Sequence, residues 1–158
     1  PLLTFSKMYT SRKRDDEYMS PLCVFKDIVH LIPKKVIWEP FPGDGESTRH
    51  LESLGFQVVH GDFYSGNFGD LVVTNPPFSQ KKQILMRLKE LNKPFILLLP
   101  SWTLQTVYVR LLFQGELSIA IPRRRISFMK DGVEQGRCNF ECLYYLWKVQ
   151  TEHEITWL

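Results

Sequence analysis

The strongest limit on this chain is its punctuation: short apolar runs, each ended by a proline or glycine turn and followed by a stretch of helical period. Val36-Ile37-Trp38-Glu39-Pro40 runs into the turn Phe41-Pro42-Gly43-Asp44-Gly45. Ser47 is placed to cap a helix carrying Leu51 and Leu54, closed by Gly55. Phe56 to His60 is the next apolar run, and Asp70 to Thr74 another, ending at Asn75-Pro76-Pro77-Phe78. Ser79 then heads a helix with Ile84, Leu85, Leu88 and Leu91 on one stripe, and Phe95 to Leu99 has the length of a buried strand. Upstream, Ser20-Pro21 offers an N-cap and a first helical residue for a helix that Pro33 stops. Residues 103–113 read as helix; Leu117–Ile121, Ile126–Met129 and Phe140–Lys148 read as strands. Alternating strands and helices give a mostly parallel α/β sheet, and the closing strands without helices predict an antiparallel edge. Ligands of such sheets sit beyond the carboxyl ends of the strands. Glu39 to Gly45 and Thr74 to Phe78 both fall there.

The chemistry of these two strand ends differs. In the first, two glycines one residue apart let the backbone approach a ligand closely. The third glycine of the dinucleotide fingerprint and the lysine of a P-loop are both missing. The carboxylates Glu39 and Asp44 instead suit a ligand that brings a cation, such as an amino group or a sulfonium. In the second, Pro76 and Pro77 each hold the preceding residue extended and donate no hydrogen bond. The Asn75 side-chain oxygen and a fixed Pro76 carbonyl then make two neighbouring acceptors for a planar NH2 group. Phe78 adds a flat surface on which a ring can stack.

Composition excludes several classes. With 158 residues, 44% hydrophobic, the chain is long enough for a packed core without disulfides or metals. No apolar run approaches the length of a membrane span. The three cysteines, Cys23, Cys138 and Cys142, form no CxxC pair, so neither a disulfide framework nor a zinc site is expected. Residues 1–17 are polar and charged and read as an arm ahead of one domain over 18–158. With no secretion signal in that arm, an intracellular, reducing compartment is expected, cytoplasm or nucleus. The net charge of +3 hides an asymmetry: residues 36–75 carry −5, while residues 76–130 carry ten basic and two acidic groups, +8. A segment of +8 attracts polyanions. Its densest part is Arg123-Arg124-Arg125, where a strand would turn Arg123 and Arg125 to one side.

EPFPGDG and NPPF on successive strand ends, preceded by Asp16-Glu17-Tyr18-Met19-Ser20-Pro21, resemble the S-adenosylmethionine-dependent amino-methyltransferases. The likeness is greatest to the phage and viral type that methylates adenine N6, and it covers roughly residues 16–147. It implies a compact single-domain class I methyltransferase (Rossmann-like) fold with S-adenosylmethionine as cofactor. It implies that Glu39, Phe41, Gly43 and Gly45 hold the cofactor's methionine part, with Asp44 supporting the loop or the amino group. Tyr18 and Pro21 would lie against the cofactor, Asn75 and Pro76 would accept from the target amine, Pro77 would fix that geometry, and Phe78 would stack on the target base. Phe128 is a candidate for holding a flipped base.

The sequence departs from the family in one place. Only ten residues separate His60 from Asp70, too few for a full helix and strand, so one strand–helix unit on the cofactor side is expected to be missing. Asp62 is the remaining acid there and is assigned to the cofactor's ribose or adenine, ribose favoured, with Phe63 flanking the adenine. The partner expected is DNA or RNA, with a protein partner supplying target recognition. Guanine N2, a protein glutamine amide, or a silent nucleic-acid-binding subunit are the alternatives. Trp102, at another strand end, either walls the substrate cleft or belongs to the core.

Overall fold

The computed structural model describes residues 19–134 and 141–158. The arm over 1–17, Tyr18, Cys138 and Phe140 lie outside the described residues. In chain order the elements are α1 (Leu22–Lys26), β1 (Ile37–Trp38), α2 (Glu46–Ser53), β2 (Val58–Val59), β3 (Leu71–Thr74), α3 (Lys81–Glu90), β4 (Phe95–Pro100), α4 (Val107–Phe113), β5 (Leu117–Ile121), β6 (Met129–Lys130), β7 (Val133–Glu134), β8 (Cys142–Trp147) and β9 (Ile155–Trp157). Seven strands form one sheet in the order β2-β1-β3-β4-β8-β5-β9, and β6 and β7 form a separate ribbon. The expected mostly parallel α/β sheet is therefore observed.

The antiparallel strand is not at the edge. β8 lies inside the sheet, antiparallel to β4 over six residue pairs and to β5 over four. The cause is its composition: Tyr144, Tyr145, Leu146 and Trp147 are all buried, and a strand apolar on both faces needs neighbours on both sides. Its phenols are satisfied internally, Tyr144 donating to the Val24 carbonyl at 2.7 Å and Tyr145 to the Pro100 carbonyl at 2.8 Å. The outer strand on that side is β9, parallel to β5, with Trp157 78% exposed.

Three further expectations change. The first helix is one short turn of α-helix followed by a 3-10 turn over Val29–Leu31. The strand expected over Ile126–Met129 shrinks to β6, and Met19 pairs with Met129 across an isolated bridge. None of the three serines caps its helix. Gly45, left-handed at φ +88°, precedes α2, and the 3-10 turn Phe78–Gln80 precedes α3. Ser20 spends its hydroxyl elsewhere, as described below.

No strand forms between β2 and β3, so β2 is the sheet edge and residues 60–70 are a loop. Two cations fasten it from outside. Arg87 donates to the carbonyls of Phe63 (2.6 Å) and Gly66 (3.0 Å), and Lys93 to those of Phe68 (3.2 Å) and Gly69 (2.7 Å). At its end the loop runs so close to β1 that a Cβ on Gly69 would stand 3.0 Å from the Val36 carbonyl oxygen. Glycine is required there twice over, since φ is also +59°.

Candidate active site at the carboxyl ends of the strands

β1, β2, β3, β4 and β5 all point their carboxyl ends the same way, because each is parallel to the next once β8 is passed. Glu39 follows β1 and is fully buried, with 0% exposure. Its Oε1 accepts from the Thr74 hydroxyl at 2.6 Å and from the Phe41 backbone N–H at 2.8 Å. Its backbone carbonyl lies 3.1 Å from His60 Nδ1. A carbonyl only accepts, so that nitrogen carries the proton, and in the neutral ring Nε2 accepts from Thr48, 3.4 Å away. Glu39 thus joins the ends of β1, β2 and β3. Burial pushes its carboxyl up to about 7, against the lowering effect of the Thr74 and Phe41 hydrogen bonds. The other oxygen, Oε2, is buried with no hydrogen-bond donor. Ser47 is near enough to act on the carboxyl, but its hydroxyl donates to the Pro42 carbonyl at 3.4 Å.

The glycine turn is closed on itself. Asp44 accepts from the Glu46 backbone N–H at 3.0 Å, and Arg49 donates to the Asp44 carbonyl and to Glu46. Asp44 therefore supports the turn, while Glu39 faces the interior. Gly43 has φ +57°, and a Cβ there would come 2.7 Å from Met19 Sδ.

After β3, Thr74 and Asn75 face different partners. Asn75 Nδ2 donates to the hydroxyl of Ser20, itself buried, at 2.8 Å. This bond, across 55 residues of chain, is why Ser20 does not cap α1. With Nδ2 on the Ser20 hydroxyl, Oδ1 is the other edge of the amide. Asn75 Oδ1 is buried and accepts nothing. Pro76 is buried, and Phe78, 9% exposed, belongs to the core.

The other sequence candidates lie around this pair. Asp62, exposed in the loop beyond β2, accepts from the Ser65 N–H at 2.8 Å, and the Ser65 side chain followed by this bond holds its carboxyl below the usual range. Phe63 is 2% exposed and packs its ring against Trp38, Phe41 and Tyr64. Pro21 lines a cleft of about 350 Å³ together with Arg124, Arg125, Ile126 and Met129. Arg123, Arg124 and Arg125 are exposed in the segment after β5 rather than in a strand, so they do not alternate between two faces. Arg125 pairs with Glu141 at 2.8 Å. Phe128 is 1% exposed, a core residue. Ser20 and Thr74 lie within the two segments the sequence singles out, residues 16–21 and 74–78, without a site role of their own; His60 carries no such signal.

A cavity of about 640 Å³ is at the opposite end of the strands, between Lys34, Lys35, Val36, Gln57 and Asp70. None of the candidate residues reaches it. Among the described residues no helix is long and apolar enough to cross a membrane, and no three His, Cys, Asp or Glu side chains cluster as a metal site.

No family model matches the chain, and no curated protein matches it. Solved structures resemble it in backbone path. One is a proposed RNA methyltransferase of Pyrococcus horikoshii, 15% identical, with TM-score 0.49 over 82% of this chain and 81% of that one. Another is the precorrin-6Y C5,15-methyltransferase of Geobacter metallireducens, 15% identical, TM-score 0.44, covering 85% and 95%. A proposed methyltransferase of Thermoplasma acidophilum is 13% identical, TM-score 0.38, covering 85% and 77%. At such identities the likeness says nothing of substrate.

Proposed function

We propose that this chain is an S-adenosylmethionine-dependent methyltransferase that acts on an exocyclic amine, adenine N6 in DNA or RNA. One observation carries the reading. Among the described residues three buried side-chain oxygens lack a partner, all at this end of the sheet: Thr103 Oγ1 and the two acceptors Glu39 Oε2 and Asn75 Oδ1, the latter pair linked through Thr74. A buried polar atom left without a partner is rare and calls for one. A ligand ammonium fits the Glu39 oxygen and a planar amine fits the Asn75 oxygen.

The residues fit the cofactor. Glu39 is suited to its ammonium, Gly43 and Gly45 to close approach of its methionine part, and Asp62 to its ribose hydroxyls. Phe41 and Pro21 would lie against it, and Phe63 underlies the adenine side. When bound, S-adenosylmethionine supplies an electrophilic methyl group on a sulfonium sulfur. Asn75 Oδ1 and the Pro76 carbonyl would accept both amine hydrogens. That favours the pyramidal nitrogen with its lone pair free, an interaction stronger in the transition state than before it. Ser20 is a positioning residue: while its hydroxyl accepts from Nδ2, Oδ1 is left for the amine. Phe78, expected to stack on the base, is a core residue and would support residues 75–77 instead. Arg123, Arg124 and Arg125, which follow β5 at the same end, would contact phosphate, and a duplex target would have its base flipped out.

The test is nucleoside mass spectrometry after incubation with methyl-labelled cofactor and mixed DNA and RNA. Labelled N6-methyladenine is expected. Label on guanine N2, label on protein glutamine, or no transfer would each overturn the adenine assignment.

A further inference from the structure

Trp102 is an unusual residue to leave half exposed. It sits directly after β4, in the 3-10 turn Ser101–Gln105, at the site's end of the sheet, with 48% exposure. The turn beneath it is tied down by hydrogen bonds to its carbonyls. Thr103 is fully buried, Thr106 donates to the Thr103 carbonyl at 2.7 Å, and Tyr145 donates to the carbonyls of Pro100 and Ser101. The Lys81 ammonium stands 4.4 Å from the centre of the indole ring and 3.3 Å from the Phe78 carbonyl oxygen. A single side chain therefore spans from the Asn75–Phe78 segment to the exposed ring. Lys82 lies beside Tyr108, 5.9 Å from its ring centre. Neither residues 78–89 nor residues 91–115 contain an aspartate or glutamate. An exposed aromatic face among cations, with Glu90 at the far end of α3 as the one carboxylate between residues 78 and 115, matches a nucleotide: a π-face for the base and positive charge for the phosphate.

We propose that Trp102 and Lys81 form a stacking platform for the nucleobase adjoining the target nucleotide. This rests on the nucleic-acid reading above and extends it to a second base. Lys81 holds one side of the indole and meets the backbone phosphate; the exposed part of the ring receives the base. The stacking is tolerant of base identity, so the platform contributes affinity and register rather than sequence choice.

The experiment uses Trp157→Phe protein, in which Trp102 is the exposed indole, Trp38 and Trp147 being buried. The probe is a single-stranded ten-nucleotide DNA with one adenine among thymines, and its RNA counterpart. Binding is expected to quench indole emission. Trp102→Ala and Trp102→Leu should weaken binding roughly tenfold or more, while Trp102→Phe stays within a few-fold. An abasic site next to the adenine should cost the same factor, and should cost nothing further in Trp102→Ala. Circular dichroism and S-adenosylhomocysteine binding should be unchanged in every variant. Undiminished oligonucleotide binding by Trp102→Ala, without quenching in the parent, overturns the platform and leaves the nucleic-acid reading standing. No binding of either oligonucleotide by the parent protein overturns both.

Discussion

The two flanks of one sheet end are built from the same backbone geometry and opposite chemistry. On the β1–β2 flank the polar groups turn inward. Glu39, Thr74, His60 and Thr48 bond to one another with only Glu39 Oε2, and no donor, left over, and the glycine turn closes through Asp44 and Arg49. On the β3–β5 flank they turn outward: the three arginines are exposed, Trp102 is half exposed, and Lys81 reaches over its ring. The charge follows, −5 over residues 36–75 and +8 over residues 76–130. An inward network preorganises a pocket for a small ligand with a cationic group. An outward array suits a polyanion that arrives from bulk. Asn75 stands where the two meet, one amide edge tied to Ser20 and the other without a donor.

The sharpest break between the flanks is expected at that junction. Asn75→Ala should lower methyl transfer by roughly a hundredfold or more, the scale of losing a transition-state hydrogen bond. Transfer at near the parent rate in a labelled-methyl assay would make the NPPF segment a structural turn.

The inward flank should announce itself in pH. Glu39 keeps its proton more readily folded than unfolded, since burial raises it from 4.5 to about 7. Below about 4.5 both states are protonated and its contribution is complete; as pH rises toward 7 the unfolded chain ionises first and stability is lost. Glu39→Gln should flatten the stability profile between these limits by up to about 3 kcal/mol. Denaturant unfolding at stepped pH gives the slope directly, and an unchanged profile would place that pKa elsewhere.

The outward flank should be visible in salt. Binding of nucleic acid should weaken with a log–log slope of about −0.7 per phosphate contact on single strands or −0.9 on duplex B-DNA. Replacing Arg123, Arg124 and Arg125 by Gln should flatten the slope by roughly one to three units and leave cofactor affinity alone. Equal slopes for parent and variant would make the arginines a solvated rim.

The smallest effect isolates Ser20. Ser20→Ala should cut transfer by about tenfold, a net loss of one hydrogen bond, with Ser20→Thr restoring it. In an Asn75→Asp background both side-chain oxygens are acceptors, so orientation no longer matters and Ser20→Ala should change little. An equal loss in both backgrounds would make Ser20 structural.

The strand ends that form the site were legible because prolines and glycines fix local geometry wherever they fall. Gly43, Gly45 and the Pro76-Pro77 pair act on their immediate neighbours, and short-range rules describe them. Ser20 was misread for the converse reason. A serine before a proline satisfies the capping rule, and nothing nearby in sequence reveals an amide 55 residues away that takes the hydroxyl instead. The interior place of β8 was hidden in the same way, since the pairing of Phe95 with Trp147 is a long-range choice that local alternation does not encode. Arg123 to Arg125 follow an apolar run that ends at Ile121, and alternation was extended past the last paired residue.

Calorimetry with S-adenosylhomocysteine tests the division between the flanks most directly. Three proteins are compared: the parent, Gly43→Arg and Asn75→Ala. Gly43 sits at φ +57° against Met19, so an arginine there fills the turn from within. The parent and Asn75→Ala are predicted to bind within a few-fold of each other, and Gly43→Arg, folded by circular dichroism, to bind nothing. No heat from the parent at millimolar ligand, or a loss in Asn75→Ala as deep as that in Gly43→Arg, would contradict the account.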